Sequence, residues 1–221
     1  MKKILAIALA VLMLASLTAC GETAGSDTYT VGVCQLLTHP ALDAATQGFK
    51  DALVAELGEG VVNFKDKDAG GEYANCATIV DGFVAENVDL ILANATAPLQ
   101  AAATATADIP ILGTSITDYA SALGIEGWTG TVGGNISGTS DLAPLDEQAA
   151  MVKELFPDAK NVGLLYCSAE ANSIYQVETI KGYLEEMGYT VTAYAFADAN
   201  ELASGATYEG LLDADGNAPT E

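Results

Sequence analysis

The feature that most constrains this chain is a regular alternation between short β-branched runs and stretches whose apolar residues recur at helical spacing. "YTVGVC" (29–34) is followed by Leu42, Ala45, Phe49, Leu53 and Leu57, three or four apart, until Gly58 ends the run. "GVVNFKD" leads through "KDAGGEY" to Cys76, Ile79, Val80 and Phe83. "VDLILA" gives way at "NATAP" to an alanine-rich helix around Gln100, and "IPILGTSI" ends at "TD". Parallel strands need a crossover between them, and a helix of this length supplies it. The pattern therefore predicts an α/β fold of parallel sheet with helices on both faces.

The alternation breaks in a glycine-rich stretch from Tyr119 to Thr139. The reading places a first α/β lobe over 29–123, a crossover over 124–139, and a second lobe from 140 onward. "SDLAPLDEQ" restarts a helix, with Asp141 or Pro144 near its start and Leu145, Ala149, Val152, Leu155 and Phe156 on one face. "NVGLLYC" and "YTVTAYAFAD" are the second lobe's strands, and Ile174, Val177, Ile180 and Leu184 form the inward stripe of the helix between them. After Ala203 the periodicity fades. Two strands cannot bury an open parallel sheet on both faces, so the lobe over 140–221 reads as partial, as if truncated.

Lys2 and Lys3 precede an apolar run from Ile4 to Leu17, too short to span a bilayer and shaped like an export signal over residues 1–20. The "LTACG" that ends it resembles a bacterial lipobox, which makes Cys20 the lipidation candidate. Residues 21–28 are small and polar, as a tether requires. The remaining Cys34, Cys76 and Cys167 are odd in number and lack a C-x-x-C pair, so neither a disulfide framework nor a zinc site is indicated, and each reads as a small buried hydrophobe. "DADGNAPTE" at the C-terminus has its glycine at the wrong position for a calcium loop and reads as a solvated acidic tail.

Thirty Asp and Glu stand against eight Lys and no Arg, a formal charge of -22. A phosphate backbone or an anionic lipid surface would repel such a chain, which excludes nucleic acid as a partner and leaves the lipid anchor as the link to a membrane. No P-loop, G-x-G-x-x-G or G-x-S-x-G element occurs, and no cofactor or metal is implied.

In open parallel sheets ligands bind beyond the carboxyl ends of the strands. The loops there are "QLLTHPALD", "NATAP", "TSITD" and "SAEANS", all polar and helix-initiating. "VGVCQLLTHPALDAATQGFKDAL", "VDLILANATAPLQAAATAT", "DIPILGTSITD", "GGNISGTSDLAPLDEQ" and "KNVGLLYCSAEANSIYQVETIK" resemble, in order, stretches of the ABC-transporter substrate-binding lipoproteins of the tryptophan/tyrosine-binding type. The resemblance runs from about Tyr29 to Ala203. It implies a two-lobed periplasmic-binding-protein fold of the ribose-binding kind (type I), held by a lipid at the extracytoplasmic face of a bacterial membrane. Such a protein closes on a small solute, here an aromatic amino acid, and presents it to an ABC permease and its ATPase.

Carried over by position, the resemblance puts Gln35, His39, Thr96, Pro98, Thr117 and Asp118 on the first lobe's side of the cleft and Ser140, Asp141, Asn172 and Ser173 on the other. Ser140 or Ser173 at helix starts would donate to the ligand's carboxylate, and Asp118 or Asp141 would accept from its ammonium group. Cys167 stands where a polar residue is expected. The competing functions are a non-transport solute sensor and an enzyme in the same cleft with His39, the only histidine, as base. His39 precedes Pro40 at a helix start, and the reading favours a loop residue near the ligand over a catalytic one.

Overall fold

The computed structural model describes residues 28–197; the export signal, Cys20, most of the tether and the acidic tail lie outside the described residues. The elements run β1 (Tyr29–Gln35), α1 (Pro40–Leu57), β2 (Val62–Asp68), α2 (Tyr73–Ala85), β3 (Leu90–Asn94), α3 (Thr96–Ala105), β4 (Ile111–Ile116), α4 (Tyr119–Leu123), β5 (Ile136–Ser140), α5 (Leu145–Leu155), β6 (Asn161–Cys167), α6 (Ala171–Glu186) and β7 (Thr190–Phe196). They form a five-stranded sheet in the order β2-β1-β3-β4-β5 and a two-stranded sheet, β6-β7. Every strand pair in both sheets is parallel.

The order explains the composition of the strands. β1 and β3 lie in the middle of the sheet, covered on both faces, and so read as near-continuous apolar runs. On one face Val31, Val33 and Leu92 pack under Phe49 and Leu53 of α1. On the other, Cys34, Ile91 and Ala93 meet the buried stripe of α2, Cys76, Val80 and Phe83, together with Leu99 and Ala102 of α3. α2 lies so close that a Cβ on Gly32 of β1 would come within 2.6 Å of the Phe83 ring. Each large side chain buried in these layers contributes about 1.5–3 kcal/mol of transfer free energy, which is what holds both helices to the sheet.

Two features differ from the sequence reading. The stretch expected to be a crossover over 124–139 runs into β5, which pairs with β4 as the fifth strand of the first sheet. Its run "ISGTS" carries no alternation of apolar residues because an edge strand exposed on its outer face does not need one. In the second lobe, Leu184 of α6 and Leu145 and Ala149 of α5 are buried, but Leu155 and Phe156 at the end of α5 are exposed, at 63% and 62%. α5 packs on α6, and with only two strands in the sheet nothing further covers its last turn. α4 packs on α6 and joins the two lobes. Among the described residues, no helix is long and apolar enough to cross a membrane.

Candidate functional site

The carboxyl ends of the five strands carry most of the residues singled out in the sequence, and several are committed to the fold. Gln35 is 9% exposed. Its Nε2 donates to Asp43 Oδ1 at 2.6 Å and to the Leu37 carbonyl at 3.0 Å, and its Oε1 accepts from Thr46 Oγ1 at 2.7 Å and from Asn94 Nδ2 at 3.3 Å. Asn94, fully buried, also donates to Leu42 O at 2.8 Å and Thr46 Oγ1 at 2.9 Å. This network ties β1, β3 and α1 together. His39 is exposed and is the N-cap of α1: its Nδ1 accepts from the Ala41 N–H at 3.2 Å, and Pro40 opens the helix behind it. Thr96 is buried in the first turn of α3, and Pro98 is buried completely.

Thr117, Asp118, Ser140 and Asp141 stand together at the ends of β4 and β5. Ser140 Oγ donates to Thr117 O at 2.8 Å, and the Asp141 N–H donates to Ile116 O at 3.0 Å. Both residues are therefore attached to the first sheet, where the sequence reading had put them across the cleft and Ser140 at a helix start. α5 instead begins after Pro144. Asp118 Oδ1 accepts from the Ser121 N–H at 2.7 Å and caps α4. Two non-glycine residues at this edge, Ala95 (φ 105) and Ser115 (φ 57), hold backbone conformations that L-residues rarely adopt, which is strain of the kind that concentrates at binding edges.

A hollow of about 1070 Å³ opens between the lobes. One wall is the β2–α2 loop, Gly70, Gly71, Glu72 and Tyr73; the other is the β6–β7 sheet with the start of α6, including Tyr166, Phe196, Glu170 and Ser173. The loop turns sharply because Gly70 (φ 65) and Gly71 (φ 83) take left-handed conformations, and their N–H groups are held by Asp68 Oδ1 at 2.6 Å and Leu36 O at 2.8 Å. Ser173 Oγ donates to Glu170 Oε2 at 3.0 Å, and Asn172 Nδ2 reaches the same oxygen at 3.4 Å. Burial, and then the Glu170 charge, push the Tyr73 phenol well above its ordinary range, so the first lobe's tyrosine and the second lobe's carboxylate feel each other across the space.

Of the ten residues expected at the cleft, Ser173 alone lines this hollow, with Asn172 bonded at its margin. Glu170, Tyr73 and the Gly70-Gly71 turn were missed. The available signal was "DAGGEY" after the second strand, a paired glycine at a strand's carboxyl end. Cys167, read as a buried hydrophobe, is half-buried in the hollow's wall. A smaller hollow of about 640 Å³, beside Gln100, Thr104 and Gly133, has no charged side chain in its lining and so offers nothing to orient a charged solute.

Residues 30–209 match the family described as ABC transporter substrate binding protein. A curated relative from Clostridioides difficile (strain R20291), "Tyrosine-binding protein", is 35% identical over 216 residues, covering 91% of this chain and 62% of the relative. The crystal structure of an ABC domain in complex with L-Trp from Streptococcus pneumonia is 36% identical with a TM-score of 0.75, over 80% of this chain and 60% of that one. The ligand-free, open structure of a substrate-binding protein with adhesive properties from Clostridium difficile is 34% identical with a TM-score of 0.58, over 83% of this chain and 63% of that one. The chain thus spans about 60% of the length of these relatives. At nearly equal identity, its backbone follows the L-Trp complex more closely than the open form.

Proposed function

Because this chain belongs to the ABC transporter substrate-binding protein family, we propose that it captures an aromatic amino acid between its lobes, outside the cytoplasm, and delivers it to an ABC permease and ATPase. The observation that carries this reading is the hollow between the lobes, which sets a carboxylate from each wall, Glu72 and Glu170, and hydroxyls from Tyr73 and Ser173 among the apolar walls of Tyr166, Phe196 and Ile180. An α-amino acid needs an anionic acceptor for its ammonium group, N–H or O–H donors for its carboxylate, and an apolar recess for its side chain. Glu170 supplies the first. Tyr73, Ser173 and the free N–H groups in the first turn of α6 supply the second. The aromatic residues supply the third. A pairing of charges in such a site matters because an unpaired charge out of water is costly.

Binding of the solute to the closed arrangement shifts the lobes toward closure, which is the form a permease would read. Micromolar affinity requires about 8 kcal/mol, which a few charge-assisted hydrogen bonds and one aromatic recess can provide. The relatives named above are solute-binding proteins, which supports binding over turnover, and His39 is exposed and used as a helix cap. Lipid attachment at Cys20 completes the proposal. Its support is the lipobox, and its test is incorporation of labelled fatty acid that is lost in Cys20→Ser.

Calorimetric titration of the full chain with Trp, Tyr, Phe and a pentose tests the site. Binding of the aromatic amino acids that weakens in Glu170→Gln and Tyr73→Ala, with Asp118→Ala and Asp141→Ala unaffected, is the expected result. Binding that ignores Glu170 and fails in an Asp variant would move the ammonium site to the first sheet, and binding of the pentose alone would overturn the amino-acid reading.

A further inference from the structure

Side chains two apart on a strand share a face, so Gly32 and Cys34 of β1 look toward the same helix. That helix is α2, whose buried stripe is Cys76, Val80 and Phe83. Phe83 sits on Gly32. Two residues farther along β1 stands Cys34 and two turns back along α2 stands Cys76, and both belong to one core cluster. Both residues are fully buried. Their thiols lie close enough for each to set the other's protonation, and the Cys76 thiol faces the Glu72 carbonyl oxygen at 3.9 Å. Two thiols that face each other from a strand and the helix packed on it are placed as the partners of a disulfide are.

The pair is also chemically unequal. The neighbouring Cys34 thiol pulls the Cys76 thiol below its ordinary range, while the Cys76 thiol and burial push Cys34 up. Cys76 is in the first turn of α2, where Tyr73, Ala74 and Asn75 are exposed, so opening that one turn uncovers it. Members of this family work outside the cytoplasm, where disulfides persist.

We propose that Cys34 and Cys76 are a redox pair that closes to a disulfide by exchange with an external disulfide, pinning the first turn of α2, and with it the Gly70–Tyr73 wall of the hollow, onto β1. The Cys76 thiolate attacks one sulfur of the external disulfide. That S–S bond breaks, and one thiolate leaves and takes up a proton. Cys34 gives up its proton and its sulfur displaces the second thiol from the mixed disulfide. Two protein thiols are oxidised and one external disulfide is reduced to two thiols.

The odd number of cysteines and the lack of a C-x-x-C pair indicate no disulfide framework, and spacing along a chain carries no information about which strand lies under which helix. The test uses the full chain with Cys20→Ser and Cys167→Ser, treated with oxidised glutathione, unfolded, alkylated and cut at lysine. Lys50 and Lys67 separate the two cysteines into different peptides. A cross-linked pair of peptides containing Cys34 and Cys76, dissolved by dithiothreitol, is expected. It should be accompanied by a rise in Tm on the order of 10 °C that Cys76→Ala does not show. Cysteines that are alkylated freely, or that each carry a single glutathione without a link, overturn the proposal, and this readout on the unlinked parent stands even if the alanine variant fails to fold.

Discussion

The hydroxyl of Tyr119 lies 3.1 Å from the carbonyl oxygen of Gly113 and fills the space that a side chain at residue 113 would need. It also reaches Thr139 O at 3.3 Å, so one phenol spans β4 and β5 where the register shifts. A Cβ on Gly113 would come within 2.4 Å of that hydroxyl, and one on Gly138 within 2.1 Å of the Gly113 carbonyl oxygen, at a φ of 151. Gly113→Ala should therefore cost about 1–3 kcal/mol by crowding. Gly138→Ala should cost more, because there backbone rather than a side-chain tip must yield. Gly48→Ala, on the exposed face of α1 with nothing within 4 Å, should stabilise by about 0.5–1 kcal/mol. Urea denaturation of the three variants gives the order directly, and a neutral Gly113→Ala would contradict the packing described.

The same phenol confers a pH dependence. Burial, and then the charge of Asp141, raise the Tyr119 pKa from 10.0 to about 12. The neutral form is the one favoured in the fold, so its contribution is fully present below pH 10 and is lost as pH rises from 10 toward 12, where the unfolded chain has already released the proton. The size is about 2–3 kcal/mol. In Tyr119→Phe the fall in stability across this window should be shallower than in the parent, measured by urea midpoints at fixed pH values. Equal slopes would show that the tyrosine is not the titrating group.

Gln35 and Thr46 separate a structural role from a binding one. Gln35→Ala leaves Asn94 and Asp43 without the bonds at 3.3 Å and 2.6 Å, and Thr46→Val removes another member of the same buried network. Each should lower stability by about 1–3 kcal/mol. The solute dissociation constant of the folded protein should change little in either. A large loss of affinity at unchanged stability would return Gln35 to the ligand's first contacts.

Two helix caps are also separable from the site. His39→Ala removes the acceptor for the Ala41 N–H, and Asp118→Ala removes the acceptor for the Ser121 N–H. Each should cost about 1 kcal/mol in thermal denaturation, with solute affinity kept. Loss of binding in His39→Ala without loss of stability would place the imidazole on the ligand.

How far the site was legible follows from the kind of signal each residue carries. His39 before Pro40 has the sequence form of a cap, and it caps. Asp118 in "TSITD" likewise caps α4. Whether a polar residue at a strand's carboxyl end faces a solute or a neighbouring loop depends on partners far away in sequence. Gln35 meets Asn94 across 59 positions, which no local pattern encodes. Glu170 was overlooked for a related reason: as the residue just before α6 it reads as a helix boundary, and its exposure to the hollow depends on where Tyr73 of the other lobe comes to rest.

The alternation of apolar periods by itself determined that strands and helices would follow one another and that the sheets would be parallel, since those periods express the local geometry of the backbone and which face must leave water. Tertiary structure alone decided that "ISGTS" would join the first sheet, that Cys34 would lie under Cys76, and that Glu170 and Tyr73 would share one hollow. Each of these depends on the order in which strands lie side by side and on how two lobes meet, and both are set by long-range packing that leaves no period in the chain.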